Sequence, residues 1–95
     1  MTKKDLRIVF LGTPEFAVES LEAIINNGYN VVGVVTMPDK PAGRGHKMYQ
    51  SPVKECAIKH GIKVMQPVRL KDQVFIDELQ ALKADLFIVI AFRML

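Results

Sequence analysis

At 95 residues and 10.7 kDa the chain has room for one small domain, and 49% apolar with 24% charged residues is the composition of a folded one rather than a disordered one. No apolar run nears the roughly 20 residues of a membrane helix, Ile8–Leu11 is interrupted too soon by Gly12, Thr13, Pro14 and Glu15 for a secretory core, and the single Cys56 excludes a disulfide framework or Cys-rich zinc module and fits a reducing cytoplasm. The formal charge of +3 is local: between Thr36 and Lys54 the cations Lys40, Arg44, Lys47 and Lys54 oppose only Asp39, and the remainder is balanced.

Ile8–Leu11 is a continuous apolar run ended by Gly12, the pattern of a strand buried on both faces of a parallel sheet. Thr13 then reads as a helix N-cap, with Pro14 at the first helical position and Glu15 in the first turn, where its charge suits the helix dipole. Apolar residues at Ala17/Val18, Leu21 and Ile24/Ile25 give that helix one buried face, and Asn26-Asn27-Gly28 stops it with Gly28 in a left-handed conformation. Val31–Val35 is a second buried strand. The stretch Thr36–Gln50 contains Pro38, Pro41, Gly43 and Gly45, which predict no regular element there. At 15 residues it far exceeds a common strand-to-helix connection of roughly 2–6.

Ser51 and Pro52 repeat the cap-plus-proline pattern and open a second helix through His60, closed by Gly61. Lys63–Gln66 reads as a short third strand ended by Pro67. Asp72 caps a third helix whose apolar contacts are Val74, Phe75, Leu79 and Leu82, and Leu86–Phe92 is the most apolar strand of the chain. The order β-α-β-loop-α-β-α-β predicts an α/β fold, a Rossmann-like parallel sheet with flanking helices. Residues 1–95 thus read as one portion of such a domain. Because Arg93-Met94-Leu95 follows a core strand directly, the sequence is expected to be the first part of a longer protein, with an edge strand through which the piece could associate.

Leu11–Phe16 carries a buried strand into a helix start, where free backbone N–H groups and the dipole favour an anionic or polar ligand. It is not a dinucleotide fingerprint, because Pro14 stands where the second glycine of G-x-G-x-x-G belongs. Phe16 is either core or the wall of a pocket at the strand ends, where open α/β sheets bind ligands. In Pro38–Lys47, Arg44 sits between Gly43 and Gly45, which suit neither helix nor strand and leave the guanidinium unobstructed for phosphate, carboxylate or a base. Lys40 and Lys47 flank it as point charges. A mobile, weakly charged insert fits the same residues, and a patch of this kind gathers anions only to an extent that salt reduces. His46 and His60 lack partners at metal-ligand spacing and read as solvent-facing. Cys56 reads as a small buried hydrophobe, and Glu15, Glu19 and Glu22 as a solvated helix face. No catalytic set is apparent.

Leu6–Phe16, Val31–Thr36, Pro38–Lys47, Ser51-Pro-Val-Lys54 and Gln66-Pro67 together resemble the start of the bacterial methionyl-tRNA formyltransferase family, over essentially the whole chain. Ala91-Phe92-Arg93-Met94-Leu95 departs from the family's commoner AYGxIL wording while keeping the strand. The resemblance implies a cytoplasmic, monomeric enzyme moving a formyl group from 10-formyltetrahydrofolate to the α-amino group of initiator methionyl-tRNA, without a metal. It implies that the long loop reaches the acceptor stem, with Arg44 recognising tRNA among Lys40, Gly43 and Lys47. Phe16, with Gly12 and Thr13 beside it, matches the surroundings of the methionyl group. The family's catalytic Asn, His and Asp, most of its folate site and a C-terminal β-barrel fall beyond Leu95, so residues 1–95 alone are expected to be inactive. Two other readings remain: a non-catalytic RNA- or nucleotide-binding α/β module, and a folate-dependent formyltransferase with a small-molecule substrate. The Gly/Pro content of the loop predicts that it is unordered without tRNA.

Overall fold

The computed structural model describes residues 2–42 and 47–92. Ile8, Val9, Phe10 and Leu11 are all buried and form the centre of β1 (Arg7–Gly12), which pairs in parallel with β2 (Asn30–Val35) on one side and β6 (Leu86–Ile90) on the other. The short β5 (Val64–Met65) extends the sheet beyond β2, giving the order β5-β2-β1-β6. Connections through α1 (Phe16–Asn26) and α2 (Pro52–Lys59) step outward from β1, and the one through α3 (Gln73–Ala81) returns past it to β6. The strand order therefore reverses at β1, the place where open α/β sheets take their ligands.

Alternation along β1 divides the core. Phe10 packs with Ala17, Leu21, Val53, Cys56 and Ala57 under α1 and α2, whereas Val9 and Leu11 pack with Met65 and Phe75 under α3. Asp85 fixes where β6 meets β1: its carboxylate accepts the Arg7 N–H at 2.9 Å and its own N–H donates to the Arg7 carbonyl at 2.7 Å. Ser51 caps α2, accepting the Lys54 N–H at 3.1 Å ahead of Pro52, and Asp72 caps α3, accepting the Val74 N–H at 3.1 Å. At the other ends, Gly28 (φ +86°) and Gly61 (φ +68°) occupy the left-handed region.

Four expectations are corrected. Thr13 does not cap α1: the helix begins at Phe16, and the Pro14 carbonyl accepts the Ala17 N–H at 3.0 Å, so a backbone turn forms the entry and leaves the threonine hydroxyl outside it. Val74 is exposed, because α3 meets the sheet through Phe75, Leu79 and Leu82, three and four residues apart. β6 ends at Ile90 rather than Phe92, because Ala91 takes a positive φ of 51° that turns the chain out of the strand. Ile88 and Ile90 pack toward α1 and α2, but Phe87 and Val89, pointing the other way, are 49% and 45% exposed because α3 lies over β1, β2 and β5. The stretch 36–50 does contain regular structure, an antiparallel hairpin of β3 (Lys40–Ala42) and β4 (Lys47–Tyr49) with Lys40 opposite Tyr49, Pro41 opposite Met48 and Ala42 opposite Lys47. Pro41 is tolerated because a two-stranded ribbon gives each strand a free edge.

Candidate substrate pocket and basic arm

β2 ends at Val35, and the chain leaves the sheet at Thr36, a fully buried residue whose N–H donates to the Met65 carbonyl at 3.0 Å. It returns at Ser51, also buried, and the two hydroxyls share one hydrogen bond of 2.8 Å in which either can donate. Burying two hydroxyls is costly unless each finds a partner, and each is the other's. The excursion between them is thus closed at its neck, and the arm within it is the hairpin of β3 and β4.

A second layer of contacts lies just above. The Asp39 carboxylate accepts the Lys54 ammonium at 2.6 Å on Oδ2 and the Gln66 amide at 2.7 Å on Oδ1, while the same amide nitrogen also donates to the Met37 carbonyl at 3.0 Å. Both bonds favour the ionised form, the one from Lys54 most, and hold the Asp39 carboxyl below its ordinary 3.8.

Beside the neck, at the C-terminal ends of β1 and β2, is a cavity of about 330 Å³. Thr13, Pro14 and Phe16 wall one side, Met37, Pro38 and Lys40 the other, with Ser51 between them. Phe16 is 64% exposed, so it is a wall rather than core. Thr13 Oγ1 is buried and has no hydrogen-bond partner among the described residues. An apolar cleft with one spare hydroxyl and an ammonium at its rim suits a small, mainly apolar group attached to something polar or anionic.

The expected site residues distribute as follows. Phe16 and Thr13 line the cavity; Gly12 does not, being buried where an added Cβ would lie 2.9 Å from the Ile90 carbonyl and 3.2 Å from Ala17. Lys40 is exposed at the base of the arm, and Lys47 lies in β4 opposite Ala42. Gly43, Arg44 and His46 lie outside the described residues, as does any test of whether the tip of the loop is ordered. His60 is half-buried rather than solvent-facing, with Nε2 enclosed and unpartnered among the described residues. Cys56 is buried, and that burial pushes its thiol pKa up, with nearby Glu22 adding to the effect. No group of three His, Cys, Asp or Glu among the described residues could hold a metal ion.

Sequence reasoning missed Asp39, Lys54 and Gln66 as a cluster. The available signal was Asp39 itself, a lone acid in a basic stretch. A wider depression of about 750 Å³ between α1 and α2 is bordered by Glu15, Glu19, Glu22 and Glu55 against the single cation Lys59, a net negative charge that disfavours phosphate.

A parallel sheet with order reversal at β1 and a cleft at its strand ends define an α/β protein whose candidate site lies over the carboxyl edge of the sheet. Residues 6–95 match the model of the formyl transferase family, and the chain belongs to that family. It is 62% identical over 95 residues to the methionyl-tRNA formyltransferase of Bacteroides fragilis, covering 100% of this chain and 29% of the relative. It is 60% identical over 95 residues to that of Bacteroides thetaiotaomicron, covering 100% and 30%. With that of Flavobacterium johnsoniae it shares 59% over 90 residues, 95% of this chain and 29% of the relative. The chain thus spans about three-tenths of the length of the curated relatives it matches.

Proposed function

We propose that the intact protein transfers a formyl group from 10-formyltetrahydrofolate to the α-amino group of initiator methionyl-tRNA in the cytoplasm, and that these residues receive the aminoacyl end of the tRNA. The observation that carries this is a neutral-to-apolar cleft with a basic arm anchored at its rim, in a chain 62% identical to a methionyl-tRNA formyltransferase. In the reaction the amine nitrogen attacks the formyl carbon, a tetrahedral oxyanion forms and collapses, and the folate nitrogen leaves with the bonding electrons and gains the proton that the amine loses.

The groups that move that proton and stabilise the oxyanion belong to the part of the protein beyond Leu95, as does most of the folate site. The work of residues 1–95 is placement. Arg44 and Lys40, with Lys47 and Gly43, engage the phosphates and bases of the acceptor end, phosphate contacts fixing position and a stacked or paired arginine adding discrimination. The methionyl side chain lies against Phe16 in the cleft, and the unpartnered Thr13 hydroxyl is available to a polar atom of the aminoacyl group.

In the intact protein, Arg44→Ala raises the KM for tRNA or lowers turnover while the KM for the folate donor stays within about twofold, since uniform binding contacts and transition-state contacts separate in this way. Steady-state kinetics with each substrate varied in turn is the measurement. Unaltered tRNA kinetics in the variant would overturn the reading.

A further inference from the structure

We propose that Asp39 is a positioning residue that sets the direction of the basic arm, and that Lys54 is its internal counter-ion rather than a ligand of RNA; this rests on the reading of the arm as the tRNA-binding element. Counting charges along the sequence puts four cations between Thr36 and Lys54 and makes no distinction among them. The geometry divides them. Lys54 projects from the first turn of α2 onto the Asp39 carboxylate at 2.6 Å, and the two side chains are only 14% and 23% exposed. Lys40, next in sequence to Asp39, is exposed and without an ion pair among the described residues.

Asp39 lies one residue before β3, so whatever holds its carboxylate aims the strand that follows. Its two oxygens are held from two different elements, Oδ2 by Lys54 of α2 and Oδ1 by Gln66 just after β5. Gln66 reaches back from the same nitrogen to the Met37 carbonyl at 3.0 Å, fixing the chain on the other side of Pro38. With Thr36 and Ser51 bonded below, the arm is gripped at two levels and from three directions: the end of β2, the start of α2 and the end of β5. A hairpin attached by two strands alone would swing about its neck, and charges that must find a substrate from many orientations bind it more weakly.

The proposal reverses the sign that simple charge counting gives. Asp39→Asn removes a negative charge beside a basic arm and frees Lys54, so electrostatics alone predicts tighter tRNA binding. Loss of the grip predicts weaker binding. In the intact protein, Asp39→Asn is expected to raise the KM for tRNA roughly tenfold, within the range for a misplaced positioning contact. The KM for the folate donor stays within about twofold, and amide hydrogen exchange across residues 37–50 becomes faster. Lys54→Gln gives the same pattern, and the double variant is no worse than the weaker single, since either change already releases the grip.

A thermal midpoint close to that of the parent shows that the fold is intact in each variant. Arg44→Ala is measured alongside. If Arg44→Ala weakens tRNA recognition but Asp39→Asn leaves the KM unchanged or lowers it, the positioning role is overturned and the tRNA reading stands. If Arg44→Ala is silent, the tRNA reading fails, and unchanged exchange across residues 37–50 in Asp39→Asn then overturns the grip independently.

Discussion

At the scale of single residues, the two strand glycines differ in what a methyl group would meet. A Cβ at Gly33 would lie 2.6 Å from Leu82 Cδ1 and 2.9 Å from Met65 Cε, both ends of flexible side chains that can turn aside. At Gly12 the nearest atoms, both at 2.9 Å, are the Ile90 carbonyl oxygen, a backbone group fixed by the pairing of β1 with β6, and Cε1 of the fully buried Phe10 ring. Relief there requires the strands to part at the end of the sheet that borders the cleft. Gly12→Ala should therefore cost about 1–3 kcal/mol, the usual scale of overpacking. Gly33→Ala should cost less than about 1 kcal/mol, because its closer neighbours are movable side-chain ends and a less flexible unfolded chain offsets part of what remains. Urea denaturation of the intact protein measures both, and a larger loss at Gly33 would show that the edge strand yields more easily than the α3 side of the core.

At the scale of elements, Ser51 serves two structures through one oxygen, accepting the Lys54 N–H as the cap of α2 and bonding Thr36 across the neck of the arm. Ser51→Ala removes both and strands the Thr36 hydroxyl in a fully buried position. The expected loss is about 2 kcal/mol, from an absent cap and an unpaired buried hydroxyl. Adding Thr36→Val should recover part of that loss rather than deepen it, since the second change removes the stranded group; a double-mutant cycle by chemical denaturation reads the sign. The caps of α2 and α3 were legible in the sequence because Ser51-Pro52 and Asp72 act within three residues of themselves, and Ile8–Leu11 was legible because a central strand is buried whatever its partners. Thr13 misled because the cap pattern says nothing of where a proline turn will place the first helical residue. Leu86–Phe92 was read two residues too long because a continuous apolar run does not say where the backbone turns out of the strand, which it does at Ala91. The hairpin of the arm was hidden because its strands are three residues each and held by a neck whose partners, Thr36 with Ser51 and Asp39 with Lys54, are each 15 residues apart.

At the scale of the whole molecule, the charge of +3 resolves into an internal pair, Lys54 with Asp39, and three further cations of the same stretch, of which Lys40 is exposed. The balance of Thr36–Lys54 was readable from composition, but its division was not, because only the fold brings Lys54 to Asp39 and turns the glutamates of α1 and α2 toward a separate depression. On the proposed reading of the arm as the tRNA-binding element, the consequence is measurable as the dependence of tRNA affinity on salt. Each cation that neutralises a phosphate releases bound counterions, so removing one such residue flattens the plot of log affinity against log salt by about one unit. Lys40→Gln should weaken binding and flatten that slope. Lys54→Gln should weaken binding through the direction of the arm and leave the slope as it was, because the ammonium was already neutralised at 2.6 Å before any RNA arrived. Titrating tRNA into the intact protein and both variants at a series of potassium chloride concentrations separates the two kinds of loss. Equal flattening in both would mean that Lys54 leaves Asp39 to meet a phosphate, and that the arm closes on its substrate instead of waiting for it in place.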